Sequence, residues 1–193
     1  MLLAALLCMP CFADTTVHYR GYCFTEEEAA ERLQGFAASY STKEQWEARA
    51  ATIREGIRKG LGMENLPERG PLNPIRHSKR DLDGYSVENV AFESVPGFWV
   101  SGNLYLPATP KDLNAGILCP HGHWENGRLR PDMQYRCAAL ARMGAVVFAW
   151  DMVGYGEADV YDHRHSRSLA FHTWNSMRAL DYLQSRSDIR PAR

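Results

Sequence analysis

The chain has 193 residues, long enough for one domain with a sizeable core and barely long enough for two. Apolar residues make up 45% and charged residues 23%, ordinary for a globular protein. A net charge of −1 gives no ground for nucleic acid or an anionic membrane as partner, so either would need a local basic patch. The one cluster of that kind, Arg164-His165-Ser166-Arg167, sits beside Asp159 and Asp162 and reads as a solvated loop.

Met1 to Ala13 form an apolar run too short to span a bilayer. The run ends in Cys11-Phe12-Ala13 before Asp14, which predicts a secretory signal cleaved after Ala13 and a secreted or periplasmic product. The departure is the lack of Lys or Arg at its start, and a buried N-terminal helix is the alternative. A lipoprotein anchor at Cys8 is disfavoured by the bulky Leu7 before it. Removal of the signal would leave Cys23, Cys119 and Cys137, an odd set with no metal-type spacing and room for one disulfide at most. Cys119 and Cys137 read as small buried hydrophobes.

Residues 25 to 62 read as two helices. Thr25-Glu-Glu-Glu28 and Thr42-Lys-Glu-Gln45 both fit a capping box, in which hydroxyl and carboxyl or amide satisfy free amides reciprocally. In the second helix Trp46, Ala50, Ile53, Ile57 and Leu61 form one apolar face, ending at Gly60 or Gly62. Residues 64 to 84, with Pro67, Gly70, Pro71, Pro74 and many charges, read as a connector and the one internal boundary. The expected division is therefore a helical region and connector over 14–84 and a second domain over 85–193.

From Ser86 the period becomes two. Val90 and Phe92 alternate with polar neighbours up to Val95, Pro96-Gly97 turns, and Phe98, Val100, Gly102, Leu104 and Leu106 follow at alternate positions. This predicts an antiparallel hairpin at a sheet edge. Residues 115 to 120 are instead apolar or small at consecutive positions, the pattern of a strand buried on both faces of a parallel sheet. His121-Gly122-His123-Trp124 follows at its carboxyl end, where open α/β sheets bind ligands.

Pro131 can open a helix at its first position, with Met133, Cys137, Leu140 and Ala141 inward and Gly144 at its end. Ala145 to Trp150 is a second consecutive apolar run, so strand, helix and strand make a parallel right-handed unit. This last strand is expected to leave an open sheet edge. Asp151-Met-Val-Gly154-Tyr-Gly156 is its exit turn. A final helix over about 168–185 carries Phe171, Trp174, Met177, Leu180 and Leu183 on one face, and Asp188 to Arg193 reads as the lead into a further strand.

His121-Gly122 after one strand, followed by Asp151-x-x-Gly154-x-Gly156 after the next, resembles the first half of an α/β-hydrolase. Pro96-Gly-Phe-Trp-Val-Ser-Gly-Asn-Leu-Tyr-Leu-Pro107, Cys119-Pro-His-Gly-His-Trp-Glu-Asn-Gly127 and Asp151-Met-Val-Gly-Tyr-Gly156 resemble, more closely, secreted bacterial esterases of the acetyl xylan esterase and dienelactone-hydrolase-like group. The resemblance covers about residues 85–193. It implies a serine esterase that needs no cofactor or metal and acts on a small ester or acetylated carbohydrate. The nucleophile of such enzymes sits in a G-x-S-x-G turn, activated by a histidine that an acid orients. The loop of His121, Gly122, His123 and Trp124 would supply one backbone donor of the oxyanion hole.

No G-x-S-x-G occurs in the chain, and none of Ser166, Ser168, Ser176 or Ser185 has glycine flanks. The resemblance places nucleophile, acid and base after Arg193, so the expectation is an N-terminal fragment, catalytically silent by itself. Asp151, Gly154 and Gly156 are expected to be a structural turn. Other readings stand beside this one. His121 and His123 can be polar residues capping a strand, or the His-x-His pair of a metal-dependent amidohydrolase barrel; the preceding hairpin and the lack of a further ligand cluster speak against the latter. Peptidases of the prolyl-oligopeptidase kind share the half-domain pattern. Trp124, placed by its loop near a pocket mouth, could serve a non-catalytic carbohydrate-binding protein.

Overall fold

The computed structural model describes residues 23–159 and 161–190. The expected signal at 1–13 and the last residues of the expected lead-in strand, 191–193, lie outside the described residues. The chain divides into two units, one ending at Arg54 and one beginning at Glu55.

Both helix starts form as their spacing predicts. In α1 (Glu26–Ala38) the Glu28 N–H donates to Thr25 Oγ1 at 3.2 Å and the Thr25 N–H donates to Glu28 Oε2 at 2.9 Å. In α2 (Lys43–Gly60) Thr42 and Gln45 exchange the same two bonds, each at 3.3 Å. The ring of Trp46 lies 5.0 Å from that of Tyr40, which ties the start of α2 to the turn before it.

The second unit is built on one five-stranded sheet: β1 (Ile75–Leu82), β2 (Tyr85–Val95), β3 (Phe98–Pro107), β4 (Ala115–Leu118) and β5 (Ala145–Trp150), in the order β1-β2-β3-β5-β4. The β2–β3 hairpin turns at Pro96-Gly97, β3 and β5 are antiparallel, and β4 and β5 are parallel. Helix α3 (Pro131–Arg142) joins β4 to β5, and α4 (Ser168–Gln184) follows β5.

β5 shows why a consecutive apolar run means burial on both faces. Val146, Phe148 and Trp150 join Val90, Phe92, Val100 and Leu104 in a core closed by Ala179, Tyr182 and Leu183 of α4. Ala145, Val147 and Ala149 point the other way and meet Met133, Cys137 and Ala141 of α3. All six residues of the strand are buried. Burial of a side chain such as Phe148 stabilises by about 1.5–3 kcal/mol, and this strand contributes to two cores at once.

Three expectations need correction. The connector read over 64–84 contains β1, which pairs antiparallel with β2, so the hairpin is not the sheet's edge. Every residue of β1 is exposed, so no apolar alternation could mark it. Its attachment is the backbone ladder and a bidentate pair, Arg76 to Glu88, at 2.7 and 2.9 Å. Secondly, β5 is not an edge: it lies between β3 and β4, and β4 is outermost on that side. Ala115 and Gly116 are consequently exposed, and Ile117 and Leu118 only half-buried, against the burial on both faces expected for 115–120. Beside β4, Asn114 forms a parallel bridge with Ile189, as the lead-in reading of 188–190 requires. Thirdly, the inner face of α4 is rotated by about one residue. Trp174, Asn175, Arg178, Ala179, Tyr182 and Leu183 are buried, whereas Leu180 is 45% exposed. Arg178 is tolerated inside because its guanidinium donates to Asp181 at 2.8 Å and to the Gly70 carbonyl at 2.5 Å.

Candidate active site

Parallel pairing brings the carboxyl ends of β4 and β5 to the same side of the sheet. The ladder continues one residue beyond β4, with the Cys119 N–H on the Phe148 carbonyl at 2.8 Å, and then Pro120 turns the chain into the loop. Leaving β5, the Asp151 N–H donates to the Ser101 carbonyl of β3 at 2.9 Å.

His121 joins the two exits. Its Nε2 accepts the Met152 N–H at 3.0 Å, so the ring proton sits on Nδ1 and is donated to the Gly122 carbonyl at 2.8 Å. Burial holds the His121 pKa below its ordinary 6.5, with Arg128, His123 and His163 pushing the same way and the bond to Gly122 opposing them. A neutral imidazole with both nitrogens engaged is a structural pin. It is unsuited to act as a general base or to ligate a metal. Among the described residues no group of three or more His, Cys, Asp or Glu is arranged to hold a metal ion.

Gly122 is required by close approach: a Cβ there would collide with the ring of Trp124. That ring packs under the Arg130 guanidinium, 4.7 Å from its centroid, and its Nε1 donates to the Gly127 carbonyl at 3.1 Å. Trp124 is half-buried against the α3-side core. The Trp124 N–H is used within the loop, on the Gly122 carbonyl at 3.0 Å. The amides of Gly122 and His123 donate to no group among the described residues.

Arg128 stands in the short 3₁₀ turn after this loop (Gly127–Leu129), and its side chain is 4% exposed. Its guanidinium donates to Asn103 Oδ1 of β3 at 2.8 Å, to Asp151 Oδ2, and to Glu157 Oε2 at 2.7 Å. The Asp151 carboxylate, 1% exposed, also accepts from Ser101 Oγ at 3.2 Å and from the Glu157 N–H at 3.0 Å. It thereby links β3, Arg128 and the exit turn. Gly156 has φ +57°, and a Cβ on it would stand 2.5 Å from Asp151 Oδ1. Gly154 adopts φ +81° in the same turn, packed on His163.

A cavity of about 130 Å³ opens between the two exits and α4, lined in part by Pro120, His121, Asp151, Met152, His172 and Asn175. Two buried acceptors there, Asp151 Oδ1 and Asn175 Oδ1, have no partner among the described residues. Beyond it the rings of His123, His163 and His172 lie in series, at 4.7 and 5.1 Å between centroids. His163 and His172 both donate to the Val153 carbonyl, at 2.9 and 3.3 Å. Burial lowers the pKa of His172, and the neighbouring histidines lower it further.

His121, Gly122, His123, Trp124, Asp151, Gly154 and Gly156 thus belong to two loops joined by a histidine–amide bond. Sequence reasoning did not find Arg128, Asn103 or Glu157. Nothing in the local pattern separates buried Arg128 from Arg130, which lies two residues on and over a tryptophan ring.

Among solved structures the chain is similar to a methylesterase, at 38% identity and TM-score 0.75, over 86% of this chain and 38% of that one. It is also similar to a Bacteroides fragilis protein assigned to the acetyl xylan esterases (14%, TM-score 0.63, 91% and 54% of the chains). A third match is acetyl xylan esterase 1 from Thermoanaerobacterium (14%, TM-score 0.50, 70% and 46%). The chain therefore spans between about a third and about half of the length of these proteins. No protein-family model and no curated protein matches it.

Removing one partner of a buried ion pair costs about 3–5 kcal/mol, whereas replacing both by apolar groups costs far less. Arg128→Met should therefore lower unfolding free energy in urea by that amount, and the Arg128→Met/Asp151→Leu pair should recover most of the loss. A single-variant loss below about 1 kcal/mol would show that the pair does not hold the site.

The histidines make a separate prediction with a defined sign. His121 and His172 have depressed values in the fold, so the unfolded chain binds protons more readily below 6.5. Their contribution to stability is fully present above about pH 6.5 and is lost as pH falls towards the folded values. Urea midpoints should drop between pH 7.5 and 5.5, and His172→Gln should flatten that drop; a midpoint rising on acidification would contradict the assignment.

Proposed function

We propose, from a chain that carries part of an α/β-hydrolase domain of the esterase type, that the whole protein is a secreted serine carboxylic-ester hydrolase acting on esterified polysaccharide. The observation that carries this reading is the loop after β4. The Gly122 and His123 amides stand uncommitted at the carboxyl end of the strand, while the loop around them is pinned at His121, Trp124 and Arg128. A donor fixed before the reaction stabilises a developing oxyanion without reorganising, an effect of about 3 kcal/mol per donor.

The rest of the machinery must come from elsewhere in the protein. His121 is engaged at both nitrogens, and the 193 residues contain no G-x-S-x-G. On this reading the 193 residues are catalytically silent by themselves, and serine, acid and base are supplied by further chain. The bridge of Ile189 beside β4 favours that view, because a strand continuing from it would reach the same sheet end as the loop.

A methylesterase and acetyl xylan esterases among the similar proteins support a small ester group on a carbohydrate as substrate. Secretion rests on the signal read at 1–13; among the described residues no helix is long and apolar enough to cross a membrane. A peptidase of the prolyl-oligopeptidase kind would share this half-domain, but the similar proteins are ester hydrolases. A carbohydrate-binding role for Trp124 is weakened by its packing on Gly122 and under Arg130.

An active-site-directed fluorophosphonate tests the division of labour. The 193-residue chain should show no serine labelling, whereas protein extended past Arg193 should be labelled once, at a glycine-flanked serine. Stoichiometric labelling of any serine in the shorter chain would overturn the reading.

A further inference from the structure

Tyr105 is 5% exposed, yet its hydroxyl bonds to no group among the described residues. Its side chain lines a second cavity, of about 370 Å³, on the α3 side of the sheet. That volume falls within the usual range of small-molecule sites, about 300–1,000 Å³. The cavity beside the reaction loop is lined from α4, so the two open on opposite faces of the sheet.

The floor of this second cavity is fixed. Asn89 and Asn103 pair across β2 and β3, and Asn103 Nδ2 donates to Asn89 Oδ1 at 2.9 Å. Arg128 Nε holds Asn103 Oδ1 at 2.8 Å, which leaves the Asn89 amino group unspent. Burial pushes the Tyr105 pKa up, so its hydroxyl keeps its proton. On the wall, Glu157 gives Oε2 to Arg128 at 2.7 Å and keeps Oε1. Gln134 donates its Nε2 to the Leu129 carbonyl at 2.6 Å and likewise keeps Oε1. Arg80 of β1 makes no ion pair among the described residues, and the exposed side chains of Leu82 and Leu129 supply apolar edges.

We propose that this cavity binds a neutral saccharide unit through its ring hydroxyls, as a subsite apart from the reaction loop. The choice of a saccharide rests on the reading of the protein as a polysaccharide esterase. A hydroxyl both donates and accepts, which matches donors at Tyr105, Asn89 and Arg80 and acceptors at Glu157 and Gln134. The C–H groups of a sugar ring match Leu82 and Leu129. An anionic ligand would meet the Glu157 carboxylate, which balances the Arg80 charge within the same wall. Arg128 couples the two places, because one guanidinium fixes Asn103 at the cavity floor and Asp151 at the exit turn.

The test is a titration of the 193-residue chain with xylotetraose, cellotetraose and mannotetraose, and separately with tetragalacturonate, read from side-chain amide signals in two-dimensional NMR. At least one neutral tetrasaccharide should bind saturably and shift the Asn89 and Asn103 amide signals. Tyr105→Phe keeps the ring stacked on Tyr85 and removes only the hydroxyl, so affinity should fall about three- to tenfold. Arg80→Gln, at an exposed position, should weaken binding without moving the urea midpoint. Absence of saturable binding by every neutral tetrasaccharide, binding of tetragalacturonate alone, or unchanged affinity in both variants would overturn the proposal. A fluorophosphonate-reactive serine in the extended protein together with any of these results would sink the subsite and leave the esterase reading standing.

Discussion

The site depends on one buried charge. Arg128 is held inside the protein by three acceptors from three places: Asn103 on β3, Asp151 at the exit of β5, and Glu157 beyond the turn. An unpaired guanidinium there would carry a desolvation penalty that neighbouring apolar packing could not offset. The loop, the turn and the sheet are therefore constrained to meet around it. His121 adds a second tie between the same loops, through the Met152 amide. With both in place, the backbone between them has little freedom left.

That constraint shifts the chemical weight from side chains to backbone. Two histidines after a strand suggest acid–base or metal chemistry, yet His121 spends both nitrogens on backbone groups. Its neutral form is favoured by burial, and the same neutrality lets it accept an amide proton. What the loop offers a reacting ester is the pair of amides at Gly122 and His123, held at the end of β4. Trp124 and Gly127 support that offer by packing: the first covers Gly122, and the second lies beneath the His121 ring.

Much of this is legible in the sequence. β5 announced itself because burial on both faces demands apolar residues at every position, and the hairpin because one-sided exposure produces a period of two. β1 was invisible for the complementary reason: an outer strand with all residues exposed has no apolar pattern to read. The order of strands was also beyond local pattern. Residues 115–118 and 145–150 look alike in sequence, and only the insertion of β5 beside β3 decides which is internal. In α4 the buried Arg178 misled the face assignment: Asp181, three residues on in the same helix, is a local partner, but the Gly70 carbonyl is a tertiary one. Arg128 escaped for the same cause: 23 residues separate it from Asp151 in the buried pair.

The central question for this loop is where an oxyanion is held. A structure of the protein extended past Arg193, trapped as a phosphonate ester on its serine, measures this. The predicted result places a phosphoryl oxygen about 2.7–3.1 Å from the Gly122 or His123 amide nitrogen, with His121 Nε2 still accepting the Met152 N–H. A phosphoryl oxygen bound by the imidazole of His121 or His123, or lodged away from this loop, would contradict it.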